Sequence, residues 1–135
     1  MTRLADSAFK DAECSWVCLP AADSKSLLSN KKVHWAFGPT NRNYFNLFRN
    51  LCLTPLVLLK TRPNYIISTG AGVAIPFLLL GRVFGIKTIF VESFARQSEL
   101  SVTGKFAYRF VNLFLVQNPD LAKKFPKAVY AGVVY

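Results

Sequence analysis

Short runs of β-branched and aromatic residues alternate with longer apolar blocks in the second half of the chain. The run at residues 65–69 is followed at once by glycines, which predicts a strand and then a tight turn. The apolar block at residues 73–84 is too long for a strand and closes at Gly85, so it is predicted to be a helix. A second strand is predicted at residues 87–92. Two strands joined by such a helix lie parallel in one sheet, so this segment predicts a βαβ unit.

The same alternation continues to the end of the chain. Residues 101–112 have helical periodicity, and a buried strand (LFLVQ, residues 113–117), a short helix starting at Pro119 and a last strand at residues 128–130 follow. The helix is predicted to turn Val102, Phe106, Phe110 and Leu113 inward and Lys105 and Arg109 outward. Alternating strands and helices are typical of the α/β class, so we expect a Rossmann-like parallel sheet.

The beginning of the chain has a weaker pattern. Residues 1–12 are predicted to be the end of an amphipathic helix, residues 14–19 a strand, and residues 33–37 a second short strand. The intervening residues 21–32 are rich in Ser, Asp, Lys and Asn, which predicts a loop.

A long apolar helix is predicted at residues 43–62, and two interpretations of it stay open. Its apolar stripe consists of Tyr44, Leu47, Phe48 and Leu51, opposite Asn46, Arg49 and Asn50. Pro55 is expected to kink the helix or to begin a second one with Thr54 as its N-cap. The stripe is typical either of a helix packed on the core or of an interfacial helix with its apolar face in lipid. Near the headgroups would then lie Arg42, Arg49, Lys60 and Arg62.

Length and composition favour one globular domain, residues 1–135, with an anionic partner. Hydrophobic residues make up 52% of the chain, which excludes global disorder. The formal net charge of +10 indicates nucleic acid, a phospholipid surface or a phosphorylated substrate as the partner. The basic residues are spread along the chain and form no recognisable motif, so we expect no nucleic acid.

Metal sites and membrane spans find little support in the sequence. Three cysteines without CxxC spacing and a single histidine predict neither a metal site nor a cofactor.

Residues 63–81 carry no charge and approach the length of a membrane span. This segment contains Asn64, Ser68 and Pro76 and begins as a strand, so we favour a buried α/β unit over a transmembrane helix.

Two polar clusters follow the predicted parallel strands, at the carboxyl edge where open α/β sheets bind ligands. Thr69, Gly70 and Gly72 place backbone N–H groups at the start of a helix. This arrangement suits a phosphate, although a tight turn that simply needs glycine has the same sequence.

The second cluster is Glu92, Ser93 and Arg96. Arg96 suits a pyrophosphate and Glu92 suits sugar hydroxyls, whereas a Glu92–Arg96 ion pair that braces the loop is the structural alternative. Thr103 and Gly104, near the start of the next helix, are candidates for a further anion-binding edge. No catalytic set is visible, so catalytic residues are not assigned.

Five motifs occur in order within residues 68–132, namely STGAG, ESFAR, SVTGK, LFLVQ and FPKAVYAG, and the resemblance that they carry covers most of residues 43–135. Together they resemble the asparagine-linked-glycosylation protein 14 family and its bacterial exopolysaccharide relatives of the PssD type. A weaker likeness extends to the acceptor-side half of MurG-type lipid-linked transferases. The resemblance implies the N-terminal half of a split GT-B glycosyltransferase. Gly70 and Gly72 would form its second glycine loop, and Glu92, Ser93 and Arg96 would face its cleft.

The resemblance also implies a function. Such a protein is a membrane-associated subunit that binds a polyprenyl- or dolichyl-pyrophosphate acceptor at the cytoplasmic face. It recruits a separate catalytic subunit, the GT-B C-terminal half, and the pair transfers a sugar from UDP-GlcNAc. In exopolysaccharide pathways the donor would be UDP-glucuronate or UDP-galactose. The basic surface and the apolar helix fit docking on an anionic membrane.

One departure from the family pattern affects the expected fold. Family members usually open with an apolar strand or anchor and a GGH-like loop, which this sequence lacks. We therefore expect an incomplete domain without the first strand of the sheet and with exposed apolar edges. Two other function classes stay open: a stand-alone nucleotide-binding domain that uses the TGAG turn, and a basic anion-binding interaction module.

Overall fold

The computed structural model describes residues 9–39, 42–70 and 72–133, in which strands and helices alternate. The elements are β1 (Ser15–Cys18), α1 (Ala22–Leu27), β2 (Lys32–Trp35), α2 (Tyr44–Thr61), β3 (Tyr65–Ser68), α3 (Ala74–Val83), β4 (Lys87–Val91), α4 (Val102–Ala107), β5 (Leu113–Val116), α5 (Pro119–Lys124) and β6 (Ala128–Tyr130). Each strand pair in these residues is parallel, so the predicted α/β class is confirmed.

The strands form two sheets. β1 pairs with β2, and a four-stranded sheet has the order β3-β4-β5-β6. Within the larger sheet each strand is joined to its neighbour by one helix, which is the βαβ connection expected for residues 65–92 and repeated twice more. This order brings the carboxyl ends of successive strands to one edge.

Two hydrophobic clusters hold the layers together. One lies on the larger sheet and consists of Leu78, Phe90, Leu100, Ala107, Phe114, Val116, Leu121 and Ala128. Within it the rings of Phe90 and Phe114 stack with centroids 5.2 Å apart. The other cluster consists of Ala36, Val57, Leu58, Val73 and Phe77, with Val17 of β1 and Ile66 of β3 packed against it. It therefore joins the two sheets through α2 and α3.

The prediction of a loop at residues 21–32 is wrong, because α1 occupies part of this segment. The helix is one and a half turns long and none of its residues is buried. Such a helix leaves no apolar stripe in the sequence, which explains the error. Residues 1–8 lie outside the described residues, and residues 9–12 form a turn rather than the predicted helix end, with Ala12 N–H donating to Phe9 O at 3.1 Å.

Helix α2 is one continuous helix that turns Asn46, Asn50 and Thr54 inward, followed by Val57 and Leu58 of the core. Pro55 lies inside it, so the second helix proposed to start there does not form, and Thr54 donates its hydroxyl to Asn50 O at 2.7 Å instead of capping. Asn46 and Asn50 are buried, whereas the aromatic residues of the predicted stripe, Tyr44 and Phe48, are exposed. Burial of the stripe in the core, one of the two interpretations, is therefore wrong for these residues.

Helix α4 also differs from its predicted orientation. Val102 and Phe106 are exposed, and Gly104 and Ala107 face the interior instead. Phe110, in the turn after the helix, does pack against the main cluster. Gly104 leaves the space that the Glu92 carboxylate occupies, because a Cβ there would clash with it, and α4 packs against α3.

No helix in the described ranges is long and apolar enough to cross a membrane. The favoured interpretation of residues 63–81 as a strand, a turn and a helix is confirmed, since β3 and most of α3 lie in this segment. The thiols of Cys14 and Cys18 are half-buried and that of Cys52 is exposed.

Candidate functional site

The candidate site begins at the carboxyl end of β3, where the chain turns into α3. Gly70 has φ +119, a conformation that favours glycine, and no atom lies within 4 Å of the Cβ that another residue would carry. Its N–H donates to Ser68 Oγ at 3.2 Å. Gly72 O accepts from Ile75 N at 3.3 Å, which starts the helical turn, while Ala71 lies outside the described residues. The turn thus leaves open space above the strand end.

The start of α3 has backbone donors that no side chain caps. Val73 occupies the N-cap and, among the described residues, no side chain accepts a hydrogen bond there. The first turn also carries no acidic residue. Uncapped N–H groups and the helix dipole favour an anion at this position.

The end of β4 adjoins the end of β3. Ser68 lies opposite Phe90 in the parallel register, so the Thr69–Gly70 turn and the segment from Glu92 emerge side by side, about 5 Å apart in the sheet direction. The prediction that these two clusters meet at one edge is confirmed for the backbone.

Glu92 takes a structural position at this edge. Its side chain is 2% exposed, and Oε1 accepts from Ser93 N at 3.0 Å. Oε2 accepts from Ser101 N at 3.0 Å and from Ser101 Oγ at 3.1 Å. Ser101 Oγ in turn accepts from Gly104 N at 2.9 Å, which caps α4. The carboxylate therefore fastens the loop to α4 and does not face open solvent.

Gly104 is required by this arrangement. A Cβ at this position would lie 2.1 Å from Glu92 Oε2 and 2.9 Å from Ser101 Oγ. The N–H of Gly104 is already used by the cap, so it does not supply the further anion-binding edge expected from the sequence. Thr103 is half-buried in the same helix.

The loop that Glu92 fastens carries Ser93 and Arg96. Ser93 Oγ accepts from Ala95 N at 3.3 Å, and Ser93 O accepts from Arg96 N at 3.0 Å, which makes a compact turn. The side chain of Arg96 is exposed. Within the described ranges no ion pair joins it to Glu92, so the structural alternative of a bracing ion pair is wrong.

Gln117 and Ser101 belong to this site and were not assigned from the sequence. Gln117 follows β5, is buried, and donates from Nε2 to Glu92 O at 3.0 Å. A polar residue directly after a buried run such as LFLV was a usable signal, because it marks a strand end in the same way as Glu92 does. Ser101 lies at the start of a predicted helix, and nothing in the sequence indicated a role in the site. Only the fold brings it to the Glu92 carboxylate.

The far side of the loop is held by exposed ion pairs. Glu99 lies 2.7 Å from Lys124 Nζ and 3.5 Å from Lys105 Nζ, and Lys124 also donates to Ser98 O at 3.0 Å. The hydrogen bond and charge of Lys124, and secondarily those of Lys105, lower the pKa of Glu99 from its ordinary value. These exposed pairs add little to stability. Their effect is to pin the loop to α4 and α5.

The fold and this edge define a class of protein, the GT-B-like α/β proteins. The crystal structure of Acinetobacter baumannii MurG superposes with a TM-score of 0.74, covering 97% of this chain and 39% of that one at 16% identity. A Staphylococcus aureus MnaA–UDP co-structure superposes with a TM-score of 0.63, covering 85% of this chain and 34% of that one at 13% identity. At such identities the likeness shows the fold alone.

The sequence identifies the family within that class. The profile of the family described as "Oligosaccharide biosynthesis protein Alg14 like" matches residues 29–134. The chain belongs to this family, so the resemblance predicted from its motifs is confirmed.

Named relatives carry the description of a transferase subunit. The UDP-N-acetylglucosamine transferase subunit alg14 of Schizosaccharomyces pombe is 43% identical over 77 residues, which are 53% of this chain and 37% of the relative. The human protein described as UDP-N-acetylglucosamine transferase subunit ALG14 is 34% identical over 95 residues, 65% of this chain and 44% of the relative. The chain thus spans less than half the length of either. Their names do not support the expected exopolysaccharide pathway.

Proposed function

We propose that this chain is the acceptor-side part of a two-component transferase that moves N-acetylglucosamine from UDP-N-acetylglucosamine to a polyprenyl- or dolichyl-diphosphate-linked acceptor. The observation that carries the proposal is the open edge at the ends of β3 and β4, in a member of the Alg14-like family. An uncapped helix start follows β3 and an exposed arginine follows β4, and both suit a diphosphate.

The roles of the edge residues follow from their contacts. Gly70, between Thr69 and Gly72, would leave room for the diphosphate near the start of α3, and Arg96 would supply an exposed positive charge. Glu92 would not contact the diphosphate itself. Its buried carboxylate orders the loop that carries Arg96. In that loop, Ser93 helps shape the turn.

A separate catalytic subunit is part of the proposal. The chain corresponds to 39% of the superposed MurG chain, and relatives are described as subunits. Residues 9–39, 42–70 and 72–133 include no group of three or more His, Cys, Asp or Glu suited to a metal ion, and the edge holds one carboxylate that is already bonded. A second GT-B half that binds the UDP-sugar would therefore bring the chemistry, at the cytoplasmic face of a membrane.

Reconstitution tests this proposal. The full chain is purified from its host with and without its co-purifying subunit, and transfer from UDP-[14C]GlcNAc to a polyprenyl-diphosphate-linked acceptor is measured. We expect transfer only with both components. Robust transfer by this chain alone would favour a stand-alone enzyme instead, and binding of unrelated polyanions with equal affinity would favour a general anion-binding module.

Arg96→Ala provides the residue-level test. Loss of a charge-assisted contact to the diphosphate should raise the KM for the acceptor about tenfold or more, with the KM for UDP-N-acetylglucosamine unchanged. Lys123→Ala on α5 is the control, because it removes another exposed positive charge that is distant from Arg96 along the chain. An unchanged acceptor KM in Arg96→Ala would contradict the role given to this side chain.

A further inference from the structure

One large apolar side chain is exposed in the loop between Glu92 and α4. Phe94 is 54% exposed. In the part of the chain that the structure describes, it belongs to neither hydrophobic cluster and no aromatic ring pairs with it. A single exposed phenylalanine is ordinary on a protein surface. What distinguishes Phe94 is its position at the candidate site, two residues after Glu92 and two before Arg96.

The loop that carries Phe94 is anchored at both ends. At its start, Glu92 is buried and its carboxylate accepts from Ser93 N and Ser101 N, both at 3.0 Å. At its end, Leu100 is 4% exposed and belongs to the main cluster. The ring therefore stays outside the core although the loop itself is fastened to it.

The polar atoms of this turn are largely bonded to one another. Ser93 N donates to Glu92 Oε1, Ala95 N donates to Ser93 Oγ at 3.3 Å, and Arg96 N donates to Ser93 O at 3.0 Å. The exposed side chains between Glu92 and Arg96 are those of Phe94 and Ala95, followed by that of Arg96. A sugar would find few free backbone donors here, and its hydroxyls would lose water without gaining partners. The exposed surface of the turn suits a ligand that is apolar next to an anionic group.

We infer that Phe94 contacts the first isoprene unit of a prenyl diphosphate whose phosphates are held by Arg96. In such a molecule the apolar chain begins directly at the diphosphate, which matches an apolar ring two residues from an arginine. The inference rests on the proposed function and deepens it, because it assigns the lipid side of the acceptor, rather than its sugar, to this turn. Phe94 is then a specificity-determining residue that favours diphosphates with an attached alkyl chain.

Binding of two small diphosphates by the full chain tests the inference without sugar transfer. Geranyl diphosphate and methyl diphosphate share the charged group and differ in the length of the alkyl chain. We expect the unaltered chain to bind geranyl diphosphate about tenfold or more tightly than methyl diphosphate in isothermal titration calorimetry. Phe94→Ser should remove most of this preference and leave the affinity for methyl diphosphate unchanged. Equal affinities of the unaltered chain for the two ligands would overturn the inference.

Two further variants separate the contact from a general effect of losing a phenylalanine. Phe84→Ser is the matched control, because Phe84 is 50% exposed and lies at the C-cap of α3, before the amino end of β4. It should keep the preference for geranyl diphosphate. Phe94→Leu should keep it within about threefold, since an isoprene unit needs an apolar surface rather than an aromatic ring. A loss in Phe84→Ser, or a loss in Phe94→Leu as large as that in Phe94→Ser, would overturn the inference, and urea unfolding of each variant checks that it folds.

The two proposals can fail separately. With the catalytic subunit present, Phe94→Ser should raise the KM for a prenyl-linked acceptor about tenfold and leave the KM for UDP-N-acetylglucosamine unchanged. A preference for geranyl diphosphate that Phe94→Ser removes, without transfer by the unaltered pair, would refute the proposed function alone. Transfer with an acceptor KM that Phe94→Ser does not change would refute the role of Phe94 alone.

Discussion

Gly104→Ala is the substitution whose consequence the structure predicts most directly. The new Cβ would lie 2.1 Å from Glu92 Oε2, so the carboxylate must move. Because the Glu92 side chain is 2% exposed and held by Ser101, movement breaks the two hydrogen bonds that Oε2 accepts. Hydrogen bonds to a charged group contribute about 1.5–3 kcal/mol each, a loss of about 3–6 kcal/mol. Alanine is more favourable than glycine in a helix by about 1 kcal/mol, so the net loss in the free energy of unfolding is about 2–5 kcal/mol.

A double-mutant cycle separates this mechanism from a general effect of the substitution. Urea unfolding would be measured for the unaltered chain, Gly104→Ala, Glu92→Ala and the double variant. Without the carboxylate, only Ser101 Oγ, 2.9 Å from the Cβ position, still has to shift, so Gly104→Ala should cost about 1 kcal/mol or less. If Gly104→Ala costs the same in both backgrounds, or stabilises the unaltered chain, the structural role given to Glu92 is refuted.

Three further predictions concern other contacts. Asn50→Ala should lower the free energy of unfolding by about 2–4 kcal/mol in urea, because both polar backbone atoms of Phe37 lose their partner; a loss under about 0.5 kcal/mol would contradict the role of this amide. Gly70→Ala should lower the free energy of unfolding by about 1 kcal/mol, because alanine disfavours the positive φ at this position. No atom lies within 4 Å of the new Cβ, so removal of neighbouring side chains should not restore the lost stability. The pKa of Glu99 is lowered in the folded state, so its stabilising contribution is present above the unfolded pKa of about 4.3 and disappears as the pH falls through the folded pKa. In Lys124→Met, a carboxyl titration followed by NMR should give a higher pKa for Glu99, and an unchanged value would exclude this lysine as the main cause.

Under the proposed function, the edge at β3 and β4 would hold the charged diphosphate, and Arg96 would contact it. The basic residues before Glu92 would add a positive field that attracts an anionic partner.

The sequence by itself determined the order and parallel pairing of the elements from Tyr65 onward. Runs such as YIIS and LFLV are too short and too branched for helices, and the blocks between them are too long for strands, so βαβ units follow from local pattern. It also determined that polar residues after adjacent strands meet at one edge, because parallel strands end together. The family followed from five motifs in a fixed order.

Only the tertiary structure decided which face of each helix is covered. Periodicity indicates that α2 has an apolar and a polar side, but the backbone of Phe37 and Pro39 satisfies its asparagines and so turns the apolar side outward. In the same way, Gly104 rather than Phe106 faces inward, since a buried carboxylate needs the space. These outcomes depend on hydrogen bonds between residues that are distant in sequence. A local pattern of hydrophobic and polar positions does not show which of these bonds will form.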